Sequence, residues 1–236
     1  IFMLLILPEV SSIRLKLSKI EISALSQDYF RFRAKETVRV IAIIYFGLTL
    51  LEVICLTLAG MNFFDAVCHS FATIATGGFS TKNLSIAAYD SKLIEAIIMV
   101  FMCLSALHFG MIFLLVAKKS TTLFKSPVTR YFIAALLTGS LFVSLGLKMT
   151  GTYDTFAESF RHGFFQTISL ATSTGFATAD SSVWPGFIIL LLFFFTLQCG
   201  CSGSTSGGIK ADRILISVFS FKAQITKRLH PKSVVP

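Results

Sequence analysis

Long apolar runs constrain the fold of this chain more than any other feature. Residues 38–59, 93–117 and 131–147 are mostly apolar, and a fourth run, 187–221, is apolar except for an interruption near its middle. A helix that crosses the ~30 Å hydrocarbon core of a bilayer needs about 20 such residues. With 54% hydrophobic and only 14% charged residues, the chain also lacks the polar surface of a soluble domain. We therefore expect an all-α membrane protein that crosses the bilayer several times.

The basic residues follow a pattern that is typical of membrane topology. All but four of the 21 lie in three clusters, at 8–39, 117–130 and 209–236. Basic loops stay on the cytoplasmic side of a membrane, so we expect these clusters to face the cytoplasm and segments 60–92 and 148–186 to face outward. The basic inner loops at 118–130 and 222–232 would suit either anionic membrane lipid or a cytosolic partner. The net charge of +9 is explained by topology, and we expect no nucleic acid partner.

Few residues in the chain are candidates for catalysis or for tight metal binding. Cys199 and Cys201 are close in sequence, but no His or carboxylate follows at ligand spacing, and structural zinc needs about four ligands. The four histidines are scattered, and we assign them no catalytic role. Glu52 and Glu95 lie in or beside apolar runs, where an acid indicates either function or an interfacial position. We expect neither an enzyme nor a bound cofactor.

An internal repeat appears at an offset of 97 residues. GGFST (77–81) aligns with TGFAT (174–178), which pairs Gly78 with Gly175. A short apolar stretch precedes each motif, and longer apolar runs lie on both sides. The repeat predicts a unit of membrane helix, pore helix, filter loop and membrane helix, present twice, with both loops on the outer side. We call residues 76–81 loop A and residues 173–178 loop B.

The composition of the two loops predicts a cation filter. Irregular backbone at membrane depth must face protein or a water-filled path, and backbone carbonyls can replace the hydration shell of K⁺. Glycine allows successive carbonyls to turn toward one axis, and neither loop contains an acid that would favour a Ca²⁺-type carboxylate ring. A single TGGF could equally be a tight turn, so the prediction depends on the repeat. The candidate K⁺-binding filter residues, which form the expected metal site, are Thr76, Gly77, Gly78, Ser173, Thr174 and Gly175.

The run at 187–221 is interrupted by CGCSGSTSGGIK (199–210), which we call loop C. Residues 187–198 would make ~18 Å of helix, too short to cross the membrane, and the glycines and hydroxyl residues of loop C disfavour helix. We therefore predict one broken helix. A phosphate-binding loop is excluded because Ile209 stands where that motif needs Lys. Close helix packing and a gate below loop B remain as alternatives.

Four stretches together resemble the Trk/Ktr/HKT superfamily of K⁺ transporters. They are HSFATIATGGFST (69–81), ATSTGFATAD (171–180), GCSGSTSGGIK (200–210) and KRLHPKSVVP (227–236). The resemblance implies four units around one K⁺-channel-like pore, with Gly78 and Gly175 as the filter glycines of the second and third units. It also implies that loop C is the intramembrane gate. The gate residues would be Gly200, Gly203, Ser204, Thr205, Gly207, Gly208 and Lys210.

The resemblance further implies the biological setting. K⁺ would be the transported ion, with Na⁺ permeation left open, and the location would be the bacterial inner membrane. Expected partners are a cytosolic nucleotide-binding regulator of the TrkA type and a second copy of the full-length protein. For Lys210, two interpretations stay open: an interfacial anchor with Asp212 as local partner, or a residue that stabilises the closed loop.

The predicted organisation has four parts. They are the end of a preceding helix with a basic linker (1–36), the second unit (37–118), the third unit with loop C (119–222) and a linker toward a fourth unit (223–236). We expect a fragment of a longer protein, with assembly of two copies as the alternative. Two other functions remain as alternatives: a secondary transporter of a small solute built on a broken helix, and a truncated membrane subunit that does not conduct.

Overall fold

A computed structural model describes residues 34–118 and 122–229 of the chain. The predicted helix end before Pro8, most of the basic cluster 8–39 and the end of the last linker lie outside the described residues. The helices are α1 (Ala34–Leu58), α2 (Phe63–Ile74), α3 (Lys92–Ser105), α4 (Phe109–Lys118), α5 (Thr122–Lys125), α6 (Pro127–Met149), α7 (Phe156–Ala171), α8 (Gly186–Leu197) and α9 (Ala211–Leu229). Short 3₁₀ helices span Ser85–Tyr89 and Ser181–Val183.

Two helices are long and apolar enough to cross a membrane. Within the described residues they are Val38–Leu58 of α1 and Pro127–Met149, which is α6; α3 and α4 together would make a third span. Large apolar side chains such as Leu50 and Leu190 are exposed on these elements and on α8. Such faces are expected where a helix contacts lipid or other transmembrane helices.

The two predicted pore helices are α2 and α7, and each begins at a capping residue. The Asn62 side chain accepts a hydrogen bond from the Phe64 amide, and the Thr155 side chain accepts one from the Glu158 amide. These caps satisfy amide groups that the first helical turn leaves unpaired. With 12 and 16 residues the two helices are shorter than a membrane span.

Each pore helix packs on the spanning helix that precedes it, α2 on α1 and α7 on α6. At Gly163 of α7 the approach is so close that a Cβ atom would lie 2.8 Å from the Ser144 hydroxyl oxygen. Buried apolar residues from both repeats then form one continuous cluster, which includes Ile74, Phe101 and Phe165. The two repeats therefore share a core.

The prediction of one continuous helix over 93–117 is wrong. The chain turns by 102° between α3 and α4, with the break at residues 106–108. Neither glycine nor proline lies within the break. Loop C fills the bend instead, as described below, so the cause of the break lies about 100 residues away in the sequence.

The predicted break in the last apolar run is present and has a definite structure. α8 ends at Leu197, α9 begins at Ala211, and two short strands lie between them, β1 (Gln198–Cys199) and β2 (Ile209–Lys210). The strands pair in parallel, with Gln198 opposite Ile209. Gly208 has a positive φ of 64° next to the strand pair, a conformation that glycine adopts without strain. The pairing of β1 with β2 therefore holds the two ends of loop C next to each other.

Candidate functional site

Loops A and B follow the same backbone path. Thr76 and Ser173, at matched positions of the repeat, have φ values of 52° and 56°, and Gly78 and Gly175 have values of 64° and 91°. The Gly77 amide donates to the carbonyl oxygen of Ala72 at 2.7 Å, and the matched Thr174 amide donates to that of Ser169 at 2.9 Å. A non-glycine residue with positive φ is uncommon, so its presence at both matched positions shows that the repeat extends to the backbone.

The hydrogen bonds of loops A and B pair the backbone amides but leave backbone carbonyl oxygens unpaired. Their amides bond back to the ends of α2 and α7, whereas within the described part of the chain the carbonyl oxygens of residues 76–78 and 173–175 accept no hydrogen bond. Gly77 and Gly175 are exposed, but the other four residues are buried or half-buried, and carbonyls in such positions normally find a partner. Carbonyl oxygens without one are the ligands that a dehydrated K⁺ ion requires.

The two loops touch each other at their glycines. A Cβ atom on Gly78 would overlap the carbonyl oxygen of Thr174, whereas a Cβ on Gly175 would meet no atom within 4 Å. Thr174 is buried, and Gly175 is exposed. The structure thus brings the predicted filter residues of loops A and B together, and it leaves Gly175 at an open edge.

Two side-chain contacts hold the C-terminal ends of the loops, and sequence reasoning missed both. We call them the braces. Asp65 of α2 accepts a hydrogen bond from the Thr81 hydroxyl at 2.6 Å, and His162 of α7 lies 3.2 Å from the Thr178 hydroxyl. The bond from Thr81 lowers the pKa of Asp65, and Lys82 forms an ion pair with it at 3.4 Å. Because the braces are also related by the offset of 97, the repeat could have revealed them.

A buried histidine of α2 contacts both loop A and loop B. His69 of α2 is fully buried; its Nδ1 lies 2.7 Å from the Asp65 carbonyl oxygen, and its Nε2 lies 2.9 Å from the Ser80 hydroxyl. Its ring packs against Phe176 of loop B, with ring centroids 5.7 Å apart. His69 therefore has a structural role in the described chain, at the junction of both loops.

Loop C contacts both filter loops, although the sequence placed it only below loop B. The Thr76 hydroxyl donates to the Thr205 carbonyl at 3.0 Å, and the Gly207 amide donates to the Ser173 hydroxyl at 2.7 Å. Ser173 also donates to the Ser206 hydroxyl at 3.4 Å. The contacts involve Thr76 and Ser173, the residues that begin loops A and B.

Loop C also occupies the bend between α3 and α4. The Cys201 amide donates to the Ala106 carbonyl at 2.9 Å, and the Phe109 amide donates to the Gly203 carbonyl at 3.1 Å. The Thr205 amide and hydroxyl both bond the Ser105 carbonyl. A broken helix exposes backbone groups that need partners, and loop C supplies them.

Lys210 and Asp212, which one of the two interpretations of Lys210 pairs, form no ion pair in the structure. Lys210 is half-buried and donates to the Ser206 carbonyl, within loop C. Asp212 is 2% exposed and accepts a hydrogen bond of 2.6 Å from Ser202, and no ion pair joins it to a lysine or arginine within the described residues. The expected pairing of Lys210 with Asp212 is therefore absent, because both side chains bond to loop C instead, whereas an interfacial position of Lys210 stays a prediction.

The two acids noted in the sequence are both buried within the folded chain. Glu52 of α1 is fully buried beside the Thr73 hydroxyl, and neither of its carboxylate oxygens has a hydrogen-bond partner in the described part of the chain. Glu95 of α3 is 2% exposed and binds Arg161 of α7. The hydrogen bond with Glu95 raises the pKa of the Arg161 guanidinium above its ordinary range.

The described residues contain no cluster of side chains that indicates tight metal binding. The five cysteines are free, and the described residues contain no group of three or more His, Cys, Asp or Glu side chains that could hold a metal ion. The carbonyl oxygens of loops A and B are therefore the candidate cation ligands.

Comparison with known proteins identifies the family. The family model described as TrkH, cation transport protein, matches residues 1–236. The chain belongs to the TrkH family of cation transport proteins. The family consists of transporters and not of enzymes, and the resemblance that the sequence motifs indicated is confirmed.

Curated relatives and a solved structure agree with this assignment. The Trk system potassium uptake protein TrkH of Halomonas elongata is 38% identical over 204 residues, which cover 86% of this chain and 42% of that protein. TrkH of Escherichia coli K12 is 36% identical over 211 residues, 89% of this chain and 44% of that protein. The chain therefore spans less than half the length of these relatives.

The crystal structure of the potassium transporter TrkH from Vibrio parahaemolyticus matches with a TM-score of 0.81 at 36% identity. The match covers 87% of this chain and 45% of that chain. It confirms the predicted fold class, a helical membrane protein built from repeated units with a broken helix. The bend between α3 and α4 is a second helix break, which the sequence did not predict.

Proposed function

We propose that this chain forms two adjacent units of a pore that takes up K⁺, with loops A and B as neighbouring segments of its selectivity filter. The observation that carries the proposal is the set of carbonyl oxygens at 76–78 and 173–175, which accept no hydrogen bond in the described chain while the matching amides are tied to α2 and α7. Carbonyl oxygens held in this way can replace the hydration shell of K⁺. The relatives named as potassium uptake proteins support the choice of ion.

The pore is completed by further units. Gly78 packs against the Thr174 carbonyl of the next unit, whereas Gly175 faces open space. In a ring of four units each filter glycine has such a neighbour, so the open side of Gly175 is where a fourth unit would lie. This chain supplies the second and third units, and Na⁺ remains a second candidate ion.

Loop C is the gate of this pore. Its support is the contact with Thr76 and Ser173, the residues that begin both filter loops, and with the bend between α3 and α4. A loop that bonds both filter loops can obstruct the path beneath them in one state and release it in another. The bond from Lys210 to Ser206 lies within the loop and stabilises this arrangement.

The proposal extends to the cellular setting, for which the names of the Trk system relatives are the support. The protein lies in the bacterial inner membrane, where the full-length form is a homodimer with a cytosolic nucleotide-binding regulator of the TrkA type. The exposed basic residues Arg213, Lys222 and Arg228 of α9 offer a surface for that regulator or for anionic lipid. No cofactor is required by the chemistry of the filter.

Complementation of a bacterial host that lacks K⁺ uptake tests the proposal. The host receives this chain alone, or this chain grafted in place of the matching segment of Vibrio parahaemolyticus TrkH, with that TrkH itself as the control. We expect the graft to restore growth at limiting K⁺ and to take up K⁺, because the graft closes the ring of four units.

Each other outcome favours a named alternative. Growth with this chain alone indicates assembly of two copies. Saturable uptake of a small organic solute by the graft indicates a secondary transporter. A graft that reaches the membrane and yet conducts no K⁺ contradicts the proposed function and favours a membrane subunit that does not conduct.

A further inference from the structure

Arg161 connects the third unit to the second through a network of ion pairs. Its Nε donates to Glu95 Oε2 at 2.8 Å and one terminal amino group donates to Glu95 Oε1 at 2.8 Å. The same amino group donates to Asp90 Oδ1 at 2.9 Å. Arg161 lies on pore helix α7, whereas Glu95 lies on α3 of the preceding unit. A guanidinium that binds both oxygens of one carboxylate fixes geometry as well as charge.

The Arg161 network lies beside a second connection between the units. The Ala87 amide donates to the Ala177 carbonyl at 3.1 Å, and the Ala177 amide donates to the Ser85 hydroxyl at 3.2 Å. Ala177 belongs to loop B, two residues beyond Gly175, while Ser85 and Ala87 follow loop A. The Ser85 side chain and the Ala87 backbone thus bind the C-terminal end of loop B to the second unit. These bonds lie on the same side of the molecule as the Arg161 network.

Loops A and B pack so closely that their relative position can change only a little without disturbing the contact. Gly78 lies against the Thr174 carbonyl, with no space for a Cβ atom. A small displacement of α7 would therefore either separate these groups or make them overlap. Because ion preference in a filter depends on the number and placement of its oxygens, such a displacement would change the competition between K⁺ and Na⁺.

We propose that Arg161 is a positioning residue, which acts through Glu95 and Asp90 to hold loop B in register with loop A and thereby sets the K⁺ preference of the filter. The preference for K⁺ rests on the proposed function, whereas the positioning of the loops does not. Arg161 contacts no filter carbonyl in the structure. Its effect on the ion is therefore indirect.

Substitutions that preserve charge test the proposal without leaving a buried, unpaired carboxylate at Glu95, which would destabilise the fold. R161K keeps the positive charge but loses the planar fork, and E95D keeps the carboxylate but withdraws it by one methylene. The matched control is K148R, because Lys148 is an exposed basic residue whose side chain bonds the Asp154 carbonyl. The K⁺/Na⁺ uptake ratio and the amount of protein in the membrane are measured in the conducting form, which is this chain grafted into Vibrio parahaemolyticus TrkH.

We expect R161K and E95D to lower the K⁺/Na⁺ ratio about tenfold, within the range that coupling between contacting groups produces, while K148R retains the wild-type ratio. A purely structural ion pair would reduce the amount of protein and leave the ratio unchanged. If R161K and E95D both reach the membrane with the wild-type ratio, the proposal is overturned.

A distance measurement decides the positioning role even if no form conducts. Asn83 and Ser182 are exposed residues that follow loops A and B. Spin labels at these two positions are placed in the purified chain after its five cysteines are replaced. We expect R161K, and not K148R, to broaden the distance distribution. An unchanged distribution overturns the positioning role, whereas absent K⁺ uptake with a broadened distribution contradicts only the proposed function.

Discussion

Gly78 and Gly175 occupy equivalent positions of the repeat, yet their surroundings differ. Both have a positive φ, which disfavours any residue with a Cβ atom. At Gly78 the Cβ would also overlap the Thr174 carbonyl oxygen, whereas at Gly175 the space is open in this chain. Two glycines that look alike in the sequence therefore carry different constraints.

We predict unequal effects of alanine at the two glycines. In the purified chain, G175A should lower the free energy of unfolding by about 1–2 kcal/mol, the cost of a left-handed residue. G78A should cost more, because loops A and B must also separate. Thermal unfolding in detergent measures both variants against the wild type. Equal losses would contradict the contact between Gly78 and Thr174.

At the scale of elements, loop C is held at three places: loop A, loop B and the bend between α3 and α4. Its hydrogen bonds to Ser105, Ala106 and Phe109 replace those that a continuous helix would have made. Gly203 lies so close to His108 that a Cβ atom would be 2.9 Å from its Nε2. The bend and loop C therefore depend on each other.

We predict that deletion of residues 203–206 increases ion flux through the conducting form and weakens its regulation. The deletion removes the bond between Thr76 and Thr205 and the proposed gate, but it leaves Gly78 and Gly175 in place. Flux is measured in reconstituted vesicles with and without the proposed cytosolic regulator.

A packing role for loop C predicts the opposite result, namely loss of folded protein with no gain of flux. Size-exclusion profiles of the purified variant provide the control for folding. A well-folded deletion variant that conducts no faster than the wild type would show that loop C is not a gate.

At the scale of the whole molecule, the charge pattern predicts the orientation of the described helices. Lys82, which follows loop A, should face outward, and Lys125, in α5, should face the cytoplasm. Both residues are exposed in the structure, so a cysteine at either position would be accessible to a reagent on its own side of the membrane.

We predict that a membrane-impermeant maleimide, added to intact cells, modifies cysteine at position 82 and spares cysteine at position 125. The native cysteines are first replaced, and permeabilised cells provide the control that position 125 can react. Labelling of 125 but not of 82 in intact cells would reverse the predicted topology and with it the outward position of loops A and B.

The sequence by itself determined the features that are encoded locally or by repetition. Apolar runs predicted α1 and α6, the glycines and hydroxyl residues predicted the break at loop C, and the offset of 97 predicted the relation between loops A and B. These predictions succeeded because the bilayer fixes the length of a spanning helix and because glycine permits the required backbone conformation wherever it occurs.

Only the tertiary structure decided the features that depend on contacts between distant segments. Nothing near residues 106–108 predicts a bend, because the groups that satisfy the broken backbone belong to loop C. The bond between Arg161 and Glu95 joins residues that are 66 positions apart, and the contact between Gly78 and Thr174 joins two repeats. Hydrogen bonds and ion pairs of this kind act only over a few ångströms, so the folded chain had to bring their partners together before either residue could show its role.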